Sequence, residues 1–343
     1  MRALRIESHG QPLVAADIDM PAPAADEIVI RVRAAGICHT DANLRRGGSS
    51  SASLPLIPGH EIAGEISAIG DAVSDRRLGE RACVHYVVSC THCVHCRAGR
   101  EQFCTTGQMI GAQRPGGYAE FVAVPARNAV LLPDNISFVH GAVMMCSSAT
   151  SLHALHRGRI ALGDTVAVLG VGGLGISAVQ IARELGASRV FAIDRDAGKL
   201  KVAESLGATP VNAGECDAVA RVRELTGGVG VTIALDLVGA PAVTLQALQM
   251  LAVHGRAVAV GIHPNAMELP VYRTILGPEV ELIGANDHLL SELHALIAMA
   301  QRGGLDLGPV DVRSIPLDAD AVNSVLDALD NYQAPFRTAI VVS

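Results

Sequence analysis

Gly170-Val171-Gly172-Gly173-Leu174-Gly175 lies directly behind a continuous apolar run, 165–169, and opens a segment with Leu174, Ala178, Ile181, Ala182 and Leu185 at helical spacing, stopped by Gly186. Three spaced glycines at a strand-to-helix turn constrain this chain more than any other feature. The first makes the tight turn, the second lets the backbone approach a pyrophosphate, and the third lets the helix pack on the strand. The helix N-terminus then faces the phosphates with exposed N–H groups and the positive end of its dipole. Asp194 follows nineteen residues past Gly175, at the end of the next strand. A carboxylate there accepts from a ribose 2′-OH and repels a 2′-phosphate, which favours NAD over NADP. Arg195 pulls the other way, because arginine accommodates the extra phosphate. The candidate cofactor contacts on this stretch are Gly170, Gly172, Gly173, Leu174, Gly175, Asp194, Arg195 and Lys199.

The alternation continues with a strand at 189–193, a helix at 199–206, a strand at 231–235, a helix at 242–253 and a strand at 257–260. Strands alternating with helices predict a parallel α/β sheet of the doubly wound Rossmann type. Residues 1–147 read differently. Short β-prone runs at 27–32, 61–69 and 118–124 are separated by Gly and Pro. After helices near 289–301 and 319–329, the last strand, 338–342, is late enough to rejoin that first part. The expected organisation is therefore a β-rich catalytic domain, 1–147 and 288–343, with a dinucleotide-binding domain, 148–287, inserted into it.

Cysteine usage adds the chemistry. Of eight cysteines, four crowd into Cys90-x2-Cys93-x2-Cys96-x7-Cys104, a spacing that suits a closed tetrahedral Zn²⁺ site. A nucleic-acid-binding zinc module would share this pattern, but the chain carries 27 Lys and Arg against 34 Asp and Glu, net −7, with no basic stripe. A second set is dispersed: Cys38 in GICHTD (36–41), His60 and Glu61 in PGHEIAG (58–64), and Cys146. One His and two Cys leave a fourth position open, as a catalytic zinc requires. There is no apolar run of membrane-spanning length and no apolar stretch of signal-peptide length, so a cytoplasmic protein without a membrane partner is expected. The loop at 47–53 is Gly/Ser-rich. Together with Arg45 and Arg46 it forms the loop after Asn43, which reads as a solvated loop or as a preference for a polar or anionic substrate.

At these residues the chain resembles the zinc-containing medium-chain alcohol dehydrogenase family. GICHTD, PGHEIAG, the four-Cys lobe, Cys146-Ser-Ser-Ala-Thr150, GVGGLG (170–175) and Arg337 occur in the family's order over nearly the whole length. The resemblance implies a GroES-like fold for the β-rich domain, two Zn²⁺ per chain, and hydride transfer between NAD and a small-molecule alcohol or its aldehyde or ketone. By position it implies that Cys38, His60 and Cys146 hold the catalytic zinc and that Cys90, Cys93, Cys96 and Cys104 hold the structural one. Thr40 matches the hydroxyl that bonds the substrate oxygen, Asp41 the carboxylate that orients His60, and Glu61 a carboxylate near the metal. His39 and Arg337 match pyrophosphate contacts, and Thr150 a residue at the nicotinamide. A homodimer or homotetramer is also implied. One position departs from the pattern: Asn43 stands where some members carry a proton-relaying His, and an amide cannot carry that proton. Two other readings stay open, a polyol or sugar dehydrogenase of the same superfamily and a non-catalytic zinc- and dinucleotide-binding sensor.

Overall fold

The computed structural model describes residues 1–48, 52–263, 265–310, 312–331 and 336–343. The chain divides into two compact units. The first comprises Met1–Cys146, Leu289–Gln301 and Asp311–Ser343; the second comprises Ser147–His288 and Arg302–Val310.

The first unit is built on a seven-stranded sheet whose long strand is Glu27–Ile37. Its sequence, EIVIRVRAAGI, is β-branched and apolar along one half and small at the far end. Residues 28–30 are fully buried, so both faces of that stretch are covered. It pairs antiparallel with Glu61–Ile69, Phe121–Pro125 and Thr338–Val341. The last of these is the late strand, which returns to this sheet and places Thr338 opposite Ile37. Glu61–Ile69 in turn carries Arg81–Val84 and then Ala129–Leu131. The core of this unit gathers Leu4, Ile28, Ile30, Ile62, Ile66, Tyr118 and Leu326.

The second unit holds a six-stranded, wholly parallel sheet. Its order runs Thr209–Asn212, Arg189–Asp194, Thr165–Leu169, Val231–Asp236, Leu251–Ala259, Glu281–Gly284. The strand order reverses at Thr165–Leu169. In doubly wound sheets, ligands bind outside the carboxyl ends of the strands at such a reversal. Phe191 is fully buried in this unit's core with Ala167, Val222 and Leu248.

Three departures from the sequence reading have physical causes. The strand Thr209–Asn212 was not anticipated because it contains Pro210; it pairs on one side only, an edge position where proline is tolerated. The helix expected over 242–253 stops at Gln249, and Leu251 already begins a nine-residue strand, because an apolar run of this kind suits either state. Arg45 and Arg46 are not in a solvated loop. They end the helix His39–Arg46, and Arg45 Nη2 lies 2.7 Å from Asp327 and 2.9 Å from Asp330, with Arg46 Nη1 2.6 Å from Asp330. Both guanidinium groups are thus engaged by the helix Ala319–Asp330. Residues 49–51 of the Gly/Ser run lie outside the described residues.

Removing the Phe191 ring leaves a cavity in the parallel-sheet core. Phe191→Ala is expected to cost about 3–5 kcal/mol of stability in denaturant unfolding.

Candidate active site

Cys38 is the residue at which the long strand ends and the helix His39–Arg46 begins. Three residues on, Asp41 turns its carboxylate back, and Oδ2 accepts the Cys38 N–H at 2.9 Å, the reach-back half of a capping box. The other oxygen, Oδ1, accepts the N–H of Gly59 at 3.2 Å and lies 3.4 Å from His60 Nδ1. One buried carboxylate therefore ties the start of a helix to the segment that leads into the strand Glu61–Ile69. With Nδ1 of His60 facing Asp41, Nε2 is left for an ion. Cys146 arrives from a third place, the π-helical turn Met144–Ser148. Such turns recur at functional sites because the extra residue per turn re-aims a side chain.

These segments converge. The Sγ atoms of Cys38 and Cys146 are 4.0 Å apart. Ligand atoms of Cys38, His60, Glu61 and Cys146 all lie within 4.8 Å of one another. A tetrahedral site with Zn–S bonds of 2.3 Å places its sulfurs roughly 3.8 Å apart, so the cluster is shaped for such an ion. The charges agree. The Cys146 thiol, donating to Cys38, draws the Cys38 thiol well below its ordinary value against the effect of burial, and the same contact, with burial, raises Cys146. Burial disfavours the His60 imidazolium, yet Asp41 and Cys38 outweigh it and hold the ring above its usual range. The cluster thus holds protons that a dication would displace.

Glu61 and Arg337 complete the surroundings. Gly36 and Glu61 face each other across paired strands, and a Cβ on Gly36 would sit 1.9 Å from the Glu61 carboxylate. Glycine is required there. Arg337, one residue before the strand that pairs with Ile37, rests its guanidinium on that carboxylate. Burial pushes Glu61 up to about 7, with Arg337 opposing it. The resemblance implies a pyrophosphate contact for Arg337; in the structure its buried partner is Glu61. Thr40 Oγ1 lies 3.8 Å from Cys38 Sγ. His39 is half-buried in the same first turn. Asn43 is exposed, and its Oδ1 accepts from Arg46 at 2.7 Å.

The four-Cys lobe closes on itself. Sγ–Sγ distances are 3.9 Å for Cys90–Cys96 and 3.5 Å for Cys93–Cys96. All four sulfurs, Cys104 included, lie within 4.8 Å of one another. Backbone N–H groups supply the balancing charge: Cys93 N donates to Cys90 Sγ and Cys90 N to Cys104 Sγ, at 3.3 and 3.2 Å. Hydrogen bonds from the backbone of Cys96 and Thr105 hold Cys93 down to about 5, while burial and Cys93 itself push Cys96 up to about 11. Cys83 and Cys216 belong to neither cluster. Cys83 is buried and its thiol is pushed far up by burial, and Cys216 is exposed.

In the second unit the glycine turn shows what each glycine is for. Gly170 has φ +93°, a conformation side chains rarely adopt. A Cβ on Gly175 would lie 2.1 Å from the Gly170 carbonyl oxygen, so this glycine is demanded by packing. A Cβ on Gly172 would meet nothing within 4 Å. The protein itself does not need glycine there, but a phosphate seated on the helix Gly173–Glu184 would. Leu174 is half-exposed in the first turn of that helix. Asp194 Oδ2 accepts the Val171 N–H at 2.7 Å, and Oδ1 accepts from Arg195 and Asp196, so its carboxylate is fixed beside the turn. Arg195 is exposed, and Lys199 lies in the first turn of Ala197–Ser205. Thr150 is half-buried in Ala149–Arg157, a helix tied to the turn by the Ser151 hydroxyl on the Leu174 carbonyl.

Residues 24–134 match the alcohol dehydrogenase GroES-like domain, and residues 173–301 match the zinc-binding dehydrogenase domain. Over its full length the chain is 34% identical to the whole of an alcohol dehydrogenase of Geobacillus stearothermophilus. The chain belongs to the zinc-containing medium-chain alcohol dehydrogenase family. It is also 30% identical to an NAD-dependent alcohol dehydrogenase of Sulfurisphaera tokodaii, with 99% of this chain and all of that one covered. Among solved structures, the alcohol dehydrogenase of Aeropyrum pernix superposes with a TM-score of 0.90 at 32% identity, covering 99% of this chain and all of that one. The protein is thus an oxidoreductase of the alcohol dehydrogenase family, with a GroES-like unit and a Rossmann unit. Among the described residues, no helix is long and apolar enough to cross a membrane.

Sequence reasoning passed over two residues of this alcohol dehydrogenase site. Tyr86 sets its ring edge-on to His60, centroids 5.0 Å apart. Tyr118, fully buried, donates its hydroxyl to Asp41 Oδ2 at 3.0 Å. In a chain with four tyrosines and no tryptophan, a tyrosine beside Gly116-Gly117 was the available signal.

The contrast between Gly172 and Gly175 gives a paired prediction. Gly175→Ala should lower stability by about 1–3 kcal/mol. Gly172→Ala should leave the melting temperature unchanged while weakening dinucleotide binding in a fluorescence titration.

Proposed function

We propose that this chain is a zinc-dependent, NAD-linked dehydrogenase that interconverts a primary or secondary alcohol and its aldehyde or ketone. The observation that carries this reading is the convergence of Cys38, His60 and Cys146, a two-sulfur, one-imidazole donor set with the Glu61 carboxylate beside it. Zinc in that set supplies Lewis acidity that lowers the pKa of an alcohol hydroxyl, and the nicotinamide supplies the hydride acceptor. The remaining roles belong to the chain. Asp41 fixes the tautomer and orientation of His60. Arg337 pairs with Glu61 and would compete with an ion for that carboxylate, which would favour an oxygen of the substrate as the fourth ligand. Thr40 is the hydroxyl within reach of the cluster that can accept the substrate proton. Asn43 takes no part in a side-chain relay, since its amide is bound to Arg46 and cannot accept and pass on a proton, so the proton exits to water or through another group.

In the second unit, Gly170, Gly172, Gly173, Leu174 and Gly175 would hold the pyrophosphate at the N-terminus of the helix Gly173–Glu184, with Lys199 and Thr150 as further cofactor contacts. Asp194, its carboxylate already oriented by three backbone N–H groups, takes the ribose hydroxyls and repels a 2′-phosphate. The four-Cys lobe takes the second, structural zinc.

Two outcomes test this. Protein mixed with NAD and a panel of alcohols should raise the absorbance of reduced cofactor, and Cys38→Ser or His60→Ala should lower kcat/KM on the order of 1,000-fold while the fold survives. Full turnover by metal-free protein would refute the zinc role. Asp194→Asn should lower the NAD-over-NADP ratio of kcat/KM by roughly tenfold or more, as expected for loss of a charged hydrogen-bond acceptor.

A further inference from the structure

Asp41 receives more than the sequence suggests. Its Oδ2 accepts two donors, the Cys38 N–H at 2.9 Å and the Tyr118 hydroxyl at 3.0 Å. Its Oδ1 accepts Gly59 N–H at 3.2 Å and faces His60 Nδ1 at 3.4 Å. Tyr118 is held by the backbone. Gly116 N, Gly117 N and Tyr118 N donate to Ile57 O, Gly59 O and Pro58 O at 2.8, 2.7 and 3.0 Å, and Leu4 N donates to Tyr118 O at 2.8 Å. The ring lies so close to the segment before His60 that a Cβ on Gly59 would sit 2.3 Å from it. Gly59 itself has φ +95°. The same ring therefore forces glycine at 59 and delivers a hydroxyl to the carboxylate that faces His60.

We propose that Tyr118 is a positioning residue for the ion-binding imidazole: its hydroxyl fixes the Asp41 carboxylate, and through it the orientation of His60. A buried tyrosine ordinarily finds some hydrogen-bond partner, and packing alone would be served by any acceptor. Here the partner is the group that sets the histidine, and the hydroxyl competes for the oxygen that also caps Cys38. Loss of the hydroxyl frees Asp41 Oδ2 to rotate away from the geometry that serves Cys38 and His60 together. Burial, then Asp41, raises the Tyr118 phenol well above its ordinary value, so it stays a donor throughout the working range.

This inference rests on the zinc reading of the Cys38 cluster, and the test separates the two. Zinc-loaded wild-type protein, Tyr118→Phe, Asp41→Asn and the double variant are mixed with a chromogenic chelator. Cys38→Ser identifies which release phase belongs to that cluster and which to the four-Cys lobe. Tyr118→Phe keeps the ring, so its melting temperature should fall by no more than roughly 2–4 °C. The Cys38 phase should accelerate on the order of 10–100-fold, as when the partner of a ligand histidine is lost, with the lobe phase unchanged. In the Asp41→Asn background the added Tyr118→Phe should accelerate nothing further, because the hydroxyl acts through Asp41. An unchanged Cys38 phase in Tyr118→Phe, or effects of the two substitutions that simply multiply, overturns the role of Tyr118 while leaving the zinc reading standing. A wild-type protein that releases zinc from the lobe alone overturns both.

Discussion

A single buried carboxylate holds the cluster around Cys38 and His60 in register. Asp41 is bound by N–H groups from Cys38 and Gly59 and by the Tyr118 hydroxyl, so three segments distant in sequence meet on two oxygen atoms. Hydrogen bonds to a charged acceptor are stronger than neutral ones, and burial raises the cost of leaving any of these groups unpaired. The arrangement is therefore difficult to loosen in part. Cys38 is tied through its own N–H and His60 follows the tied Gly59, so both positions follow from the carboxylate's.

The sheet of the first unit brings in the rest. Glu27–Ile37 lies between Glu61–Ile69 and Thr338–Val341, and their registers put Cys38, Glu61 and Arg337 at one end of three adjacent strands. Gly36 matters because the strand must pass the Glu61 carboxylate without a side chain. Glu61 and Arg337 neutralise each other where burial alone would protonate the acid. In the second unit the same economy appears at the glycine turn. Packing demands Gly175 and backbone conformation demands Gly170, whereas a Cβ on Gly172 would meet nothing in the protein.

Features encoded locally could be read from the sequence. The glycine turn with its strand, helix and Asp194 spans a few dozen residues, and the four-Cys lobe fewer still, so spacing carried their meaning. The cluster of Cys38, His60 and Cys146 could not be derived from spacing, since nothing local says that a π-helical turn at 144–148 will meet the end of a strand at 37; there the family resemblance supplied the grouping. Gly116-Gly117 marked Tyr118 out, but its link to Asp41 depends on backbone pairing between 57–59 and 116–118, which spacing does not reveal. Arg45 and Arg46 misled because their charges are taken up by Asp327 and Asp330, some 280 residues away. Pro210 hid a strand because proline is legible as a strand residue only once the edge is known.

The convergence of the three ligands is tested most directly by crystals of the purified protein, with diffraction recorded on both sides of the zinc absorption edge. Two anomalous peaks per chain are expected, one inside the four-Cys lobe and one bounded by Cys38, His60 and Cys146. A peak in the lobe alone, from protein active on alcohols, would contradict the idea that these three residues hold the metal that drives the chemistry.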